Sequence, residues 1–212
     1  MSSSSAKNAV PDVAVIIPFI GESPHLHYTL QSVYAEMVAS GCTFEVFAVD
    51  NACMGSSCLS AGVVRPEIFN NRASLAHMTD QYKKTPWLKY LVYNEKLSHW
   101  AAKNLAIRET AARFLVFLDA HCVFSPGALS SMVRHYVDHC DELNGSLHLR
   151  VSDFFEHETK QYALLFDPNN GIIHYRNIFD ASPMESTTTL VSVASTCGMI
   201  CRREHIVHDL GY

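Results

Sequence analysis

An α/β fold built on a mostly parallel central sheet is the architecture this 212-residue sequence predicts. Three observations carry that expectation. Apolar β-type runs alternate with segments of helical periodicity through the first two thirds of the chain. The runs are continuously apolar, as in strands covered on both faces. Two of the helical segments open on Ser-Pro, which pairs an N-cap with proline at the first helical position.

The elements follow in order. Residues 1–12 open on a serine run and read as a disordered lead, without the basic cap and apolar stretch of a signal peptide. Residues 13–17 form the first strand. Ser23-Pro24 then starts a helix whose apolar face is Leu26, Leu30, Val33, Tyr34, Met37 and Val38, closed by Gly41. The second strand, 44–49, ends at Asp50-Asn51. A weakly patterned helix spans 65–84, a third strand 88–93 and an alanine-rich helix 99–112. The fourth strand, 114–118, terminates at Asp119. Ser125-Pro126 starts a helix with Leu129, Met132, Val133, Tyr136, Val137 and Cys140 on its apolar face. Beyond residue 145 the pattern breaks into short strands at 146–151, 172–175, 190–194 and 198–201, then a helix over 203–210. No linker divides the chain, so residues 13–212 are expected to form one domain.

Composition narrows the function. Sixteen Lys and Arg face 21 Asp and Glu, a formal charge of −5 without a basic cluster, which argues against a nucleic-acid binder. The apolar run 13–21 is about half a membrane span and is interrupted by Pro18, so no integral membrane segment is predicted. Seven scattered cysteines match no zinc-knuckle spacing, and the expectation is free thiols in a reducing, cytoplasmic compartment. The phosphate loop of nucleotide motors, the Gly-rich dinucleotide fingerprint, the zinc-protease helix and the serine-hydrolase elbow are all missing from the sequence.

In parallel sheets ligands gather at the carboxyl ends of the strands, so the residues just past each strand matter most. Asp119-Ala120-His121 follows the fourth strand. On an extended segment Asp119 and His121 would share a face, and a mixed oxygen and nitrogen pair suits Mn²⁺ or a related divalent ion. The competing reading is a turn cap beside a surface histidine. Asp50 ends the second strand, where a carboxylate can accept from an imide N–H such as that of uracil, or can simply begin an Asp-Asn turn. Glu22 either contacts a ribose or base edge or favours the positive end of the following helix. Lys103 is either a phosphate neutraliser or a solvated helical lysine.

Taken in order, these segments resemble family 2 glycosyltransferases of the GT-A fold. Residues 13–22, ending in Pro18-Phe19-Ile20-Gly21-Glu22, and Leu30-Gln31-Ser32-Val33 look like that family's opening strand and helix. Residues 44–51 resemble its second strand with the uracil-binding aspartate. Lys103-Asn104-Leu105-Ala106-Ile107-Arg108 is similar to its Arg-Asn-x-Gly-Ile helix, with lysine in the arginine's place. Residues 114–121 match the strand that carries the D-x-D motif, here as D-x-H, and 117–122 resemble the polypeptide N-acetylgalactosaminyltransferases. Residues 197–204 and Leu210-Gly211-Tyr212 look like the family's acceptor-side strand and Gly-Gly-Tyr turn.

The resemblance implies a metal-dependent transfer of sugar from a UDP-sugar to a glycan, lipid or protein acceptor. It places Pro18, Phe19, Glu22, Asp50, Asn51, Lys103, Asp119 and Ala120 against the nucleotide-sugar, and Asp119 and His121 on Mn²⁺ or Mg²⁺. The sequence stops at Tyr212, before the family's Glu-Asp motif and the third metal-binding histidine of the galactosaminyl group. Asp180, Glu185 and Asp209 are the late carboxylates left as candidate bases. Three options stay open: a donor-binding portion of a longer protein, a base in an atypical place, or a retaining mechanism. Two other functions compete: a nucleotide-sugar-binding module without turnover, and a sugar nucleotidyltransferase.

Overall fold

Strand β1, Val13–Phe19, is the hub of the sheet, and all seven of its residues are buried. The computed structural model describes residues 10–20, 23–51, 85–149, 162–167, 172–177 and 197–209. Helix α1 is Ser23–Ser40 and β2 is Phe44–Asp50. They are followed by β3, Leu88–Val92, helix α2, His99–Glu109, and β4, Phe114–Phe117. Helix α3 is Ala128–Leu143, and the short strand β5 is Leu147–His148. The described remainder is β6, Tyr162–Asp167, β7, Ile172–Asn177, β8, Met199–Arg202, and a π-helical segment, His205–Asp209.

The described main sheet has the order β3-β2-β1-β4-β8-β5. Pairings β3/β2, β2/β1 and β1/β4 are parallel, and β4/β8 and β8/β5 antiparallel. The expected mostly parallel α/β sheet is therefore the observed one.

Alternation along β1 explains why its sequence is apolar without a break. Val13, Val15, Ile17 and Phe19 enter one core with Leu26, Leu30, Val33 and Met37 of α1 and Leu129, Val133 and Tyr136 of α3. Ala14 and Ile16 face the other way, onto Ala102, Ala106 and Ile107 of α2. Each face is sealed by helices, so neither has room for polar side chains.

Several expected details change. Tyr34 and Val38, assigned to the buried face of α1, are 43% and 56% exposed. The buried stripe is the narrower Leu26-Leu30-Val33-Met37 row, and Tyr34 instead stacks on Trp87 with ring centroids 4.9 Å apart. Ser125-Pro126 does not cap α3. That helix starts two residues later behind Gly127, whose φ of +84° favours glycine. Its N-terminus is capped from α1: the Gly127 and Ser130 amides donate to Glu36 at 2.8 and 2.9 Å. Helix α2 ends at Glu109 rather than 112, because Thr110 turns extended and its hydroxyl both donates to Glu45 and accepts from the Ala112 amide. Strand β6 was not expected; it pairs antiparallel with β7. The expected helix at 65–84 and strand at 190–194 lie outside the described residues.

Candidate functional site

Strand order reverses at β1: the chain moves to β2 on one side and returns to β4 on the other. In open sheets of this kind ligands gather at the carboxyl ends of the strands beside such a reversal, here β2, β1 and β4. Asp50 closes β2 opposite Phe19 at the end of β1. Asp119 lies two residues beyond the Ile16–Phe117 pair, which sets it level with Pro18. With β1 between them, the two backbone positions are two strand spacings apart, about 10 Å.

Asp50 is nearly fully buried, at 3% exposure, and accepts the Tyr90 hydroxyl at 2.8 Å. Tyr90 also packs near Phe19, with centroids 6.2 Å apart. Pro18 and Phe19 are buried in β1, and the Phe19 carbonyl accepts from the Asn51 amide at 2.9 Å.

The Asn51 carboxamide is committed to backbone. Its Nδ2 donates to the carbonyls of Tyr93 (3.2 Å) and Lys96 (2.9 Å), and its Oδ1 accepts from the Ser98 amide at 2.8 Å. Ser98 in turn caps α2, accepting from the Ala101 amide at 3.2 Å. Asn51 thus fixes the loop that delivers α2 to this end of the sheet. Asn51→Ala is expected to lower the unfolding free energy by about 2–3 kcal/mol, since it strands a bonded set of backbone groups. Urea denaturation reads this directly, and an unchanged midpoint would contradict the role.

Asp119 continues the alternation of β4 toward α2, where His99 Nε2 lies 3.8 Å from its Oδ1; the two side chains are 47% and 35% exposed. Lys103, one turn further along α2, is buried at 1% exposure. Its ammonium sits 5.1 Å from the Trp100 ring centroid and 5.5 Å from that of Phe117. Burial pulls its pKa from 10.5 down to about 8, against the opposing pull of the Asp119 carboxylate. The solvated-lysine reading is therefore ruled out.

The extended run expected through His121 is not present. Ala120 and His121 form a turn, in which the Ala120 carbonyl accepts from the Thr29 hydroxyl at 2.9 Å and His121 is exposed. Among the described residues no three His, Cys, Asp or Glu side chains form a cage that could hold a metal. Asp119 and His121 nevertheless suit a divalent ion that takes its remaining ligands from substrate phosphates. Such an ion needs few protein donors and an open side, and both residues stand at the solvent-facing end of β4.

Beside this turn, Cys122 Sγ lies 3.4 Å from Cys197 Sγ. Hydrogen bonding to Cys197 holds the Cys122 thiol below its ordinary range, and the same contact, aided by burial, pushes Cys197 well above it. Cys197 precedes β8, anchored by the Gly198 amide donating to the Phe117 carbonyl at 2.9 Å. Gly198 has a φ of +74°, and a Cβ there would meet that of Leu149 at 3.1 Å.

The structure thus brings Phe19, Asp50, Asn51, Lys103, Asp119, Ala120 and His121 to one end of the sheet. Glu22, Asp180 and Glu185 lie outside the described residues, and of Asp209 only the backbone is described. Tyr90, His99 and the Cys122–Cys197 pair escaped the sequence reading. His99 opens α2 in the segment that follows β3, whereas Tyr90 lies within β3 itself and reaches Asp50 from the neighbouring strand.

Comparison with known proteins defines the class. The S. aureus TarS 1–349 structure superposes with a TM-score of 0.55 at 16% identity, covering 95% of this chain and 50% of TarS. The same TarS fragment in complex with UDP-GlcNAc gives 0.57 at 14% identity, over 95% and 48%, and its UDP complex 0.55 at 15%, over 95% and 49%. At these identities the match establishes the fold, that of GT-A glycosyltransferases. This chain spans about half the length of those structures. The family described as glycosyl transferase family 2 matches residues 70–208, and the chain belongs to it. The matched span holds Lys103, Asp119 and His121 and begins after Asp50. No curated protein matches the sequence. No described helix is long and apolar enough to cross a membrane.

Proposed function

We propose that this protein binds a UDP-sugar across the carboxyl ends of β2, β1 and β4 and transfers the sugar to a glycan, lipid or protein acceptor in a divalent-metal-dependent reaction. The observation that carries this reading is the placement of Asp50 at the end of β2 and Asp119 just past the end of β4, on either side of β1, so that a nucleoside diphosphate can lie across the strand ends with its base near one carboxylate and its phosphates near the other. The TarS complexes with UDP-GlcNAc and UDP support a nucleotide-sugar donor by analogy of fold.

Asp50 accepts the imide N–H of uracil, with Tyr90 holding its Oδ2 and Phe19 shaping the same corner. Pro18 and Ala120 act through backbone shape, Asn51 through the loop it holds, and Glu22 at the ribose. Asp119 and His121 hold Mn²⁺ or Mg²⁺. When bound, such an ion offsets the negative charge that gathers on the diphosphate as the sugar–phosphate bond breaks. Lys103, charged beneath Asp119, keeps the local potential positive for the leaving group. The D-x-H form of the metal motif allies the site with the polypeptide N-acetylgalactosaminyltransferases. Residues 13–212 act as one donor-binding domain, and the acceptor-side base is sought among Asp180, Glu185 and Asp209. Free thiols such as Cys42, Cys140 and Cys201 suit a cytoplasmic location.

Tyr90→Phe checks the base-binding corner. Tyr90 is more than a third exposed, so the variant is expected to fold normally while binding UDP about five-fold more weakly, from the loss of one hydrogen bond to a charged acceptor. Calorimetric titration with UDP measures it, and unchanged affinity would remove Tyr90 from the site. Turnover itself is tested by following UDP release from candidate UDP-sugars with Mn²⁺, with and without acceptor glycans. Acceptor-stimulated release is expected. Tight UDP binding with no release under any condition would instead mark a binding module without turnover.

A further inference from the structure

We propose that Cys122 and Cys197 form an oxidisable dithiol that closes to a disulfide and, when closed, impairs the nucleotide site. The two sulfurs are already 3.4 Å apart, so bond formation requires them to approach by only a little over 1 Å to reach the disulfide length of about 2.05 Å. Cys122 ends the turn that carries Asp119 and His121, and Cys197 leads into β8, level with Asp119 by the β4/β8 register. Both thiols lie against the Asp119 backbone. Neither is fully buried, so a small oxidant has access.

The chemistry balances with a peroxide as oxidant. One thiol reduces hydrogen peroxide and becomes a sulfenic acid, releasing water. The second thiol attacks that sulfur, forming the S–S bond and releasing a second water. Two thiols have lost two electrons and two hydrogens, and one peroxide has become two waters. A thiol reductant reverses the change by exchange.

The consequence for the site follows from where the chain is held on each side of the pair. The β8 end is held: Gly198 donates to Phe117 and accepts from the Leu149 amide at 2.8 Å. The turn is pinned at the Ala120 carbonyl by the Thr29 hydroxyl, so the contraction falls on His121 and Cys122, beyond that pin. Displacing ligating groups by about 1 Å can cost two orders of magnitude where geometry is demanding. This consequence rests on the nucleotide-sugar reading given above, whereas formation of the bond does not.

The test treats the full chain with hydrogen peroxide and compares it with the reduced protein. Peptide mapping under non-reducing conditions is expected to show a Cys122–Cys197 link, with loss of two hydrogen masses, which dithiothreitol abolishes. Cys122→Ser and Cys197→Ser are each expected to lose that link; having two variants guards against one failing to fold. Calorimetry with UDP and Mn²⁺ is expected to show at least ten-fold weaker binding in the oxidised protein, restored by reductant and absent in either variant. Failure of the link to form, or linkage of either cysteine elsewhere, would overturn the proposal. A formed link with unchanged UDP affinity would overturn its effect on the site. Absence of UDP binding in both oxidation states would instead sink the nucleotide reading, with the mapping still deciding the dithiol.

Discussion

Asp119→Ala is expected to abolish the Mn²⁺-dependent part of UDP binding, weakening affinity by about 100-fold or more, while the protein remains folded. The size follows from what is removed: a carboxylate that would be one of only two protein ligands, at a site where even outer-shell partners are worth about 10–100-fold. The tolerance follows from exposure. Asp119 is partly solvated, and the neighbouring His99 ring is more so, so little stability depends on their contact. The turn itself is held by backbone, through Thr29 on the Ala120 carbonyl, which the substitution leaves in place. Calorimetry with UDP in Mn²⁺ and in chelator reads the effect. Equal affinities for wild type and variant in Mn²⁺ would move the metal elsewhere.

Lys103→Met should separate stability from function. A lysine whose pKa falls from 10.5 to about 8 on folding carries a penalty for its charge below pH 8, on the order of 3 kcal/mol. The sign is that of a depressed pKa. Between pH 8 and 10.5 the unfolded chain holds a proton that the folded chain has lost, so stability from this group rises with pH across that window and is lost as pH falls through 8. An isosteric apolar side chain escapes the penalty, so Lys103→Met is expected to be about 1–2 kcal/mol more stable at pH 7, with the advantage shrinking toward pH 10. Binding should go the other way. UDP affinity is expected to fall about ten-fold, and the decline of wild-type affinity above pH 8 should vanish in the variant. Melting curves and titrations at several pH values check both halves. The two sites are also coupled: Asp119 props up the Lys103 charge, so removing Asp119 lowers the lysine pKa further and the two substitutions should not add.

What could be read from the sequence follows from which forces are local. Strands β1, β2 and β4 were legible because helices cover both faces, leaving runs that only a buried strand explains. Strand β6 went unread, although Asp167-Pro168-Asn169-Asn170-Gly171 between two apolar runs is a hairpin signal. Lys103 shares the buried stripe Ala102, Lys103, Ala106, Ile107, so its burial was recoverable from helical spacing. The cap on α3 was not, since Glu36 reaches Gly127 across 91 residues of sequence. The same holds for Asn51, whose partners lie 42 to 47 residues away, and for Cys122 and Cys197, 75 residues apart. Asp50 and Asp119 could be singled out because strand ends are visible in sequence; what surrounds each is settled by tertiary contacts.

The most direct test of the whole account is titration of the wild-type protein with UDP and with GDP, in Mn²⁺ and in chelator, at neutral pH. Saturable UDP binding that exceeds GDP binding and drops sharply in chelator is the predicted result. Binding indifferent to both the base and the metal would contradict the assignment of Asp50 to the one and Asp119 to the other.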